Sequence, residues 1–141
     1  MTSENAVVTG YLSYALAAAH RTVHQELSRR LKDEGVQVEA WRIMEVIDAE
    51  EAITMGRLAE IVLLAPPTLT KLVDRMVADG LVQRQISNED QRNVHLVLSA
   101  LGEQKRDRVR RFAQEQEAAL LERLGTENAR ILHHALNALT L

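Results

Sequence analysis

The sequence predicts a mainly α-helical single domain with one β-hairpin, built from six helices and two short strands. Its 141 residues suffice for one domain with a sizeable core. Apolar residues make up 46% of the chain but aromatic residues only 3%, so the core must consist of Leu, Val, Ile and Ala, which favours packed helices. Apolar positions recur at steps of three and four along most of the chain and alternate only around residues 81–99.

The first two helices follow from this periodicity. Segment 11–35 carries one apolar stripe and ends at Gly35 after a charged last turn. The stripe consists of Leu12, Leu16, Ala19, Val23, Leu27 and Leu31. Segment 38–51 is a second helix, with Trp41, Met44 and either Val46 or Ile47 facing inward.

Capping residues and prolines delimit the next two helices. Thr54 is a suitable N-cap for a third helix over 55–64, and Pro66-Pro67 is expected to bar its continuation. A fourth helix starts at these prolines, because proline fits the first helical turn, and ends at Gly80. Its inward stripe is predicted to be Leu69, Leu72, Val73 and Met76, with Thr68, Lys71 and Arg75 on the other side.

A hairpin and two further helices complete the chain. Residues 81–87 and 94–99 read as short strands around a polar segment, with Val94, Leu96 and Leu98 on one face. A long helix runs from Ala100 to a break at Gly125. The last helix, 127–141, is expected to turn Ile131, Leu132, Ala135, Leu136 and Leu139 inward.

The composition excludes several classes of function. The chain has no cysteine, which rules out disulfides, thiolate catalysis and cysteine-ligated zinc. No nucleophile–base pair, phosphate-binding glycine loop or paired acid pocket is visible, so neither an enzyme nor a cofactor is expected. No apolar stretch is long enough to cross a membrane and the N-terminus lacks signal-peptide features, so a cytoplasmic protein is expected.

The charge distribution favours an anionic partner for the middle of the chain. The formal net charge is −3. Between Thr54 and Arg111 ten Lys/Arg stand against seven Asp/Glu, whereas the remaining residues carry seven against thirteen. The cationic segment coincides with two short helices, a sharp turn and a hairpin, which is the order of a winged helix-turn-helix. Such a unit places its second helix in the major groove and its hairpin along the backbone; the same order of elements also occurs in protein-interaction modules.

Residues 68–104, TLTKLVDRMVADGLVQRQISNEDQRNVHLVLSALGEQ, carry a long ordered motif. It resembles the signature of the MarR family of bacterial transcription regulators, in which T-x-T-x-L-V-D-R-L precedes G-L-V-x-R, an acidic D-x-R at the wing tip, an alternating strand and Leu/Thr-x-x-Gly. The matches are Thr68, Thr70, Leu72, Val73, Asp74, Arg75, Met76, Gly80, Leu81, Val82, Arg84, Asp90, Arg92, Leu98 and Gly102. The number and length of the flanking helices agree, so the resemblance extends over nearly the whole chain.

The resemblance implies a single domain over 1–141, with a winged helix-turn-helix at 38–100 and dimerisation helices at 7–35 and 101–141. A homodimer of this kind binds pseudo-palindromic double-stranded DNA with half-sites about one helical turn apart. The apolar C-terminal helix supports the dimer independently, because it carries more apolar surface than a lone terminal helix needs.

The resemblance also implies DNA-contacting residues. Arg92 would enter the minor groove, with Asp90 as its positioner. Thr68, Thr70 and Lys71 begin the recognition helix. Three further residues have less settled roles: Asp74 would brace the fold, Arg75 would pair internally or reach a phosphate, and Arg84 would meet the DNA backbone or form an exposed salt bridge.

The chain departs from the family at Ala65-Pro66-Pro67, where relatives often carry polar residues. Prolines cannot donate backbone N–H groups to a phosphate. They can still contact a thymine methyl group, so Pro66 and Pro67 are included among the DNA-binding residues.

The hypothesis is a repressor. The resemblance implies its release by a small aromatic or phenolic anion bound between the dimerisation helices and the DNA-binding lobe, with Tyr11, Tyr14, His20, Trp41 and Arg42 as candidate effector contacts. The basic run Lys105–Arg111 is interpreted as a solvated helix with local salt bridges. A metal-sensing regulator is an alternative, since His20 and His24 are four residues apart and His133 and His134 adjoin; these histidines are interpreted as interface or pocket residues, with no metal site assigned.

Overall fold

The computed structural model describes residues 7–86 and 94–140. These residues form six α-helices and one antiparallel hairpin, which confirms the predicted fold class. The elements are α1 (Leu12–Leu31), α2 (Val38–Ala49), α3 (Met55–Val62), α4 (Pro66–Ala78), β1 (Val82–Ile86), β2 (Val94–Leu98), α5 (Ala100–Leu124) and α6 (Thr126–Leu139). No helix in the described ranges is long and apolar enough to cross a membrane.

The core is centred on α2. Ile43 and Met44 are fully buried and pack with apolar residues from every other helix except α6. Of the residues predicted to face inward, Met44 and Ile47 are buried, whereas Trp41 and Val46 are only partly so. Aliphatic packing of this kind is the main stabilising contribution in a chain with so few aromatic rings.

The ends of α3 and α4 depend on local chemistry. Thr54 Oγ1 accepts a hydrogen bond from the Arg57 backbone N–H at 3.2 Å, which confirms the predicted N-cap. The third helix was predicted to extend over 55–64, before the prolines. It ends earlier, at Val62, because Leu63 adopts a left-handed conformation (φ 62°) and the Leu64 N–H turns back to the Ala59 carbonyl at 3.1 Å.

The hairpin joins α4 to α5. The strands pair from Val82–Leu98 to Ile86–Val94, as the alternating pattern predicted. Leu96 is buried against the core, but Val94 lies further out on the wing and is exposed. At the hairpin base, Ser99 Oγ caps α5 by accepting the Gly102 N–H at 2.9 Å and lies 2.5 Å from the Gly80 carbonyl oxygen.

The two terminal helices leave apolar surface uncovered. Only Leu27 and Leu31 of the predicted α1 stripe are buried, while Leu12 is 83% exposed. The prediction that the α6 stripe faces the core is wrong for a single chain. No residue of α6 is buried, and Ile131 and Leu139 are 52% and 68% exposed. A monomer rarely leaves a contiguous apolar face of this kind in water.

Candidate nucleic-acid interface

The outer face of α4 carries polar and cationic side chains that the fold leaves in solvent. The inner face is fully buried through Leu69, Val73 and Met76. Thr68, Lys71 and Arg75 are exposed on the other side, as predicted. Within residues 7–86 and 94–140, neither Lys71 nor Arg75 lies in an ion pair. Their charges are therefore available to an anionic partner such as a phosphate.

An ion pair connects α4 to the hairpin. The Arg84 guanidinium on β1 donates to the Asp74 carboxylate on α4, and both side chains are partly exposed. Of the two alternatives for Arg84, the structure shows the salt bridge, which agrees with a bracing role for Asp74. Because an exposed pair adds only about 0–1 kcal/mol to stability, it contributes little to the fold; its consequence is that the Arg84 guanidinium already has a partner on α4. A DNA contact by Arg84 stays a prediction.

The first turn of α4 is poor in hydrogen-bond donors. Ala65 occupies the N-cap position and makes no side-chain cap bond, and Pro66 and Pro67 occupy the first two helical positions. Thr70 Oγ1 donates to the Pro66 carbonyl at 3.0 Å, so its hydroxyl proton is already engaged. The polar groups through which a helix N-terminus usually binds phosphate are therefore largely missing here.

The wing tip was the other predicted contact. The described part of the hairpin ends at Ile86 on the first strand and begins again at Val94 on the second. Asp90 and Arg92 lie outside the described residues, so their roles stay predictions.

The basic run of α5 faces acidic groups of the lobe. Arg106 Nη1 lies 2.7 Å from Asp48 Oδ1, and Arg110 Nε donates to Glu45 Oε2 at 2.9 Å. The hydrogen bond to Glu45 raises the pKa of Arg110. Lys105 Nζ donates to the Glu34 backbone carbonyl at 2.7 Å. Of the predicted local salt bridges the structure shows Arg106–Asp107, at 3.1 Å. The other partners lie on different elements, so the interpretation as a solvated helix is wrong for these residues: they fasten α5 to α2 and to the α1–α2 connection.

This architecture is similar to that of known proteins. The MarR family model matches residues 37–94, from the start of α2 to the first residue of β2. The structure of the transcriptional repressor CouR bound to a 23-mer DNA duplex is similar over 100% of both chains, with a TM-score of 0.87 at 21% identity. The chain therefore carries a MarR-family winged helix-turn-helix. The resemblance found in residues 68–104 is confirmed, and members of the MarR family are DNA-binding transcription regulators rather than enzymes.

Two sequence relatives support the assignment to the MarR family. The chain is 28% identical over 102 residues to the HTH-type transcriptional repressor IacR of Pseudomonas putida, a match covering 72% of this chain and 61% of the repressor, which is less than two thirds of its length. It is 26% identical over 125 residues to the HTH-type transcriptional regulator FarR of Neisseria gonorrhoeae, covering 89% and 86%. CouR bound to p-coumaroyl-CoA is similar with a TM-score of 0.85 at 20% identity, over 99% and 97% of the two chains.

A cleft of about 600 Å³ opens between α1 and the start of α2 in this MarR-family chain. His24, Ser28, Arg29 and Lys32 line one side, and residues 35–39 line the other. None of the five predicted effector residues lines it: Tyr11, Tyr14 and His20 are exposed on or before α1, and Trp41 and Arg42 are half-buried on α2. Sequence reasoning missed the cleft residues, although the spacing 24, 28, 32 places them on one helix face.

A hydrogen bond between α1 and α2 crosses the cleft. His24 Nε2 lies 2.6 Å from Glu39 Oε1, which joins α1 to α2, and the His20 and His24 rings are 5.5 Å apart. Burial is the largest single influence and raises the pKa of Glu39, but the His24 hydrogen bond, a backbone hydrogen bond and the attraction of His24 and Arg42 together outweigh it and hold the pKa below the ordinary value of 4.5. Within the described ranges, no three His, Asp or Glu side chains are grouped so that they could hold a metal ion.

This hydrogen bond makes stability depend on pH in a defined window. The folded-state pKa of Glu39 is depressed, so ionised Glu39 contributes to the free energy of unfolding above the ordinary carboxyl pKa of 4.5. This contribution is lost as the pH falls through the lower folded-state pKa. Urea unfolding between about pH 3 and 7 should show wild type exceeding Glu39→Gln by up to about 1 kcal/mol at neutral pH, with the difference vanishing in acid. His24→Ala should reduce the same acid dependence, because it removes the hydrogen bond but leaves Arg42. A difference that stays constant across the whole range would contradict the assignment.

Proposed function

We propose that this MarR-family chain is a homodimeric, cytoplasmic repressor that binds pseudo-palindromic double-stranded DNA and is released by a small aromatic anion. One observation carries the DNA contact: Lys71 and Arg75 stand exposed and without an ion pair among the described residues, on the helix that the winged fold offers to the major groove. The predicted contacts of Thr68, Arg84 and Arg92, with Asp90 as the positioner of Arg92, belong to the same proposal.

The uncovered apolar faces support the homodimer. Leu12 on α1 and Ile131 and Leu139 on α6 belong to the two helices that the MarR resemblance assigns to dimerisation. A second copy would bury these faces and bring two α4 helices to a fixed separation, which is what half-site spacing requires.

The cleft supports the effector class. Its wall carries Arg29, Lys32 and His24, opposite apolar Val36 and Val38, which suits an anion with an apolar body. CouR is a repressor seen with DNA and with p-coumaroyl-CoA, and IacR is named as a repressor, so release by a small molecule is proposed here also. The cleft lies between α1 and the DNA-binding lobe, where a ligand can alter the spacing of the two α4 helices with a coupling of about 1–3 kcal/mol. The five sequence-predicted contacts from Tyr11 to Arg42 lie outside this cleft and stay a separate prediction.

DNA binding is tested with Lys71→Ala in a fluorescence-anisotropy titration on duplex DNA taken from upstream of the chain's own gene. The variant should bind all duplexes more weakly, and the slope of log affinity against log salt should fall by about 1, because one phosphate contact is lost. Arg123→Ala is a matched control. It also removes one exposed cation, but from the far end of α5, where the guanidinium lies 3.5 Å from Glu26.

Two results would contradict the proposal. One is equal affinity and equal salt slope for both variants, which would remove α4 from the interface. The other is the absence of binding by wild type to any duplex at low salt, which would remove DNA as the partner.

A further inference from the structure

The turn between α3 and α4 presents an unusual apolar surface, here called the apolar tip, formed by Leu63, Ala65, Pro66 and Pro67. All four residues are exposed, and Leu63 is 82% exposed. Leu63 is held outward by its left-handed backbone (φ 62°), a conformation that non-glycine residues rarely adopt. The Leu64 backbone N–H donates to the Ala59 carbonyl at the end of α3, and the Leu69 backbone N–H donates to the Ala65 carbonyl at the start of α4. The turn is therefore hydrogen-bonded to both helices.

The apolar tip cannot recognise a polar group well. The two prolines remove two of the backbone N–H groups that a helix start leaves unpaired, and Ala65 has no side-chain polar atom. The nearby Thr70 hydroxyl already donates to Pro66. Apart from Thr68, the first turn of α4 therefore offers a partner mainly carbon surface.

Cationic side chains follow on the same helix. Lys71 and Arg75 are exposed one and two turns beyond the prolines and have no ion-pair partner in the described ranges. A partner that fits both features must be anionic along its backbone and must offer an apolar group beside it. In the major groove of DNA, the C5-methyl group of thymine is the apolar group among the base edges.

We propose that the apolar tip recognises thymine C5-methyl groups in the major groove, so that methyl contact at the start of α4 takes part in selecting the half-site. This inference rests on the proposed function, because it specifies how the same DNA interface chooses its sequence. Pro66 and Pro67 make the contact from the first turn of α4, and Leu63 extends it towards the neighbouring base or sugar.

The experiment replaces thymine by deoxyuridine. Duplexes selected by the wild-type protein from a randomised library are resynthesised with dU at every thymine, which removes only the methyl groups. The hydrogen-bonding edges and the minor groove stay unchanged, so contacts made by the wing in the minor groove are not altered. Wild type should lose about fourfold in affinity for each contacted thymine, and single dU substitutions should locate these thymines.

Two variants complete the test. Pro66→Ser with Pro67→Ser should bind dT and dU duplexes equally, because both serines fit the start of a helix but offer hydroxyl groups in place of carbon surface. Leu63→Gly suits the left-handed backbone and so keeps the fold, and it should reduce the dT-over-dU preference. Equal affinity of wild type for dT and dU duplexes would overturn methyl recognition while leaving DNA binding intact. Recovery of no duplex at low salt would overturn the proposed function together with it.

Discussion

Replacing Gly102 by alanine is expected to lower the free energy of unfolding by about 3 kcal/mol. Gly102 lies in the first turn of α5, where an added Cβ would collide with the backbone carbonyl oxygen of Leu81 and would also lie 3.1 Å from its carbonyl carbon and 3.2 Å from Leu98 Cδ2. The carbonyl cannot easily withdraw, because it accepts the Ser99 backbone N–H at 3.0 Å. Alanine is otherwise the better helix former, so any loss of stability reports the collision.

Equilibrium urea unfolding measures this effect, and Gly56→Ala is the matched control. Gly56 lies in α3, where a Cβ added to the glycine would have no neighbouring atom within 4 Å, so the same change there should raise stability by about 0.5–1 kcal/mol. Because Gly102 supports the base of the hairpin, its variant should also bind DNA more weakly. A Gly102→Ala protein as stable as wild type would show that α5 does not approach Leu81 as closely as described.

Replacing Ile131 and Leu139 together by aspartate is expected to dissociate the proposed dimer and to weaken DNA binding by at least roughly 100-fold. Both side chains are largely exposed in one chain, and neither lines the groove between α5 and α6, so the single-chain fold should survive. In a dimer interface the new carboxylates would be buried without partners, which is strongly unfavourable. Each monomer would then hold one half-site alone.

Sedimentation of wild type and variant at equal concentration, followed by titration with duplex DNA, tests this prediction. Leu63→Asp is the control for the sedimentation measurement. It replaces an exposed leucine outside the terminal helices by a carboxylate and should leave the dimer intact. A variant with wild-type mass would contradict the assignment of α6 to the interface. A monomeric variant with unchanged DNA affinity would contradict the need for two joined half-sites.

Much of the fold could be predicted from short-range features. The Thr54 cap, the proline start of α4 and the left-handed Gly80 depend on residues within one helical turn of each other, so the local sequence contains what determines them. The strand alternation and the motif of residues 68–104 likewise indicate the hairpin and the MarR family, because both are patterns of neighbouring residues.

Other features required the tertiary structure. The Arg110–Glu45 bond joins residues 65 positions apart, and the His24–Glu39 bond that crosses the cleft joins residues 15 positions apart. A charge pattern cannot identify Glu45 or Glu39 as the partner, because the chain has many other acidic residues at comparable sequence separations. The early end of α3 at Val62 also depended on how Leu63 and Leu64 close the turn.

By itself, the sequence determined the order of the elements, the DNA-binding family and the outward face of α4, since these follow from periodicity and local capping. The tertiary structure decided which apolar faces remain uncovered and which charges are already paired. Periodicity shows that α6 has an apolar face but not what covers it, and within the described part of one chain no residue of α6 is buried. Charge composition shows that Arg84, Arg110 and Lys71 are cationic, but only packing shows that the first two are paired and leaves Lys71 exposed on α4.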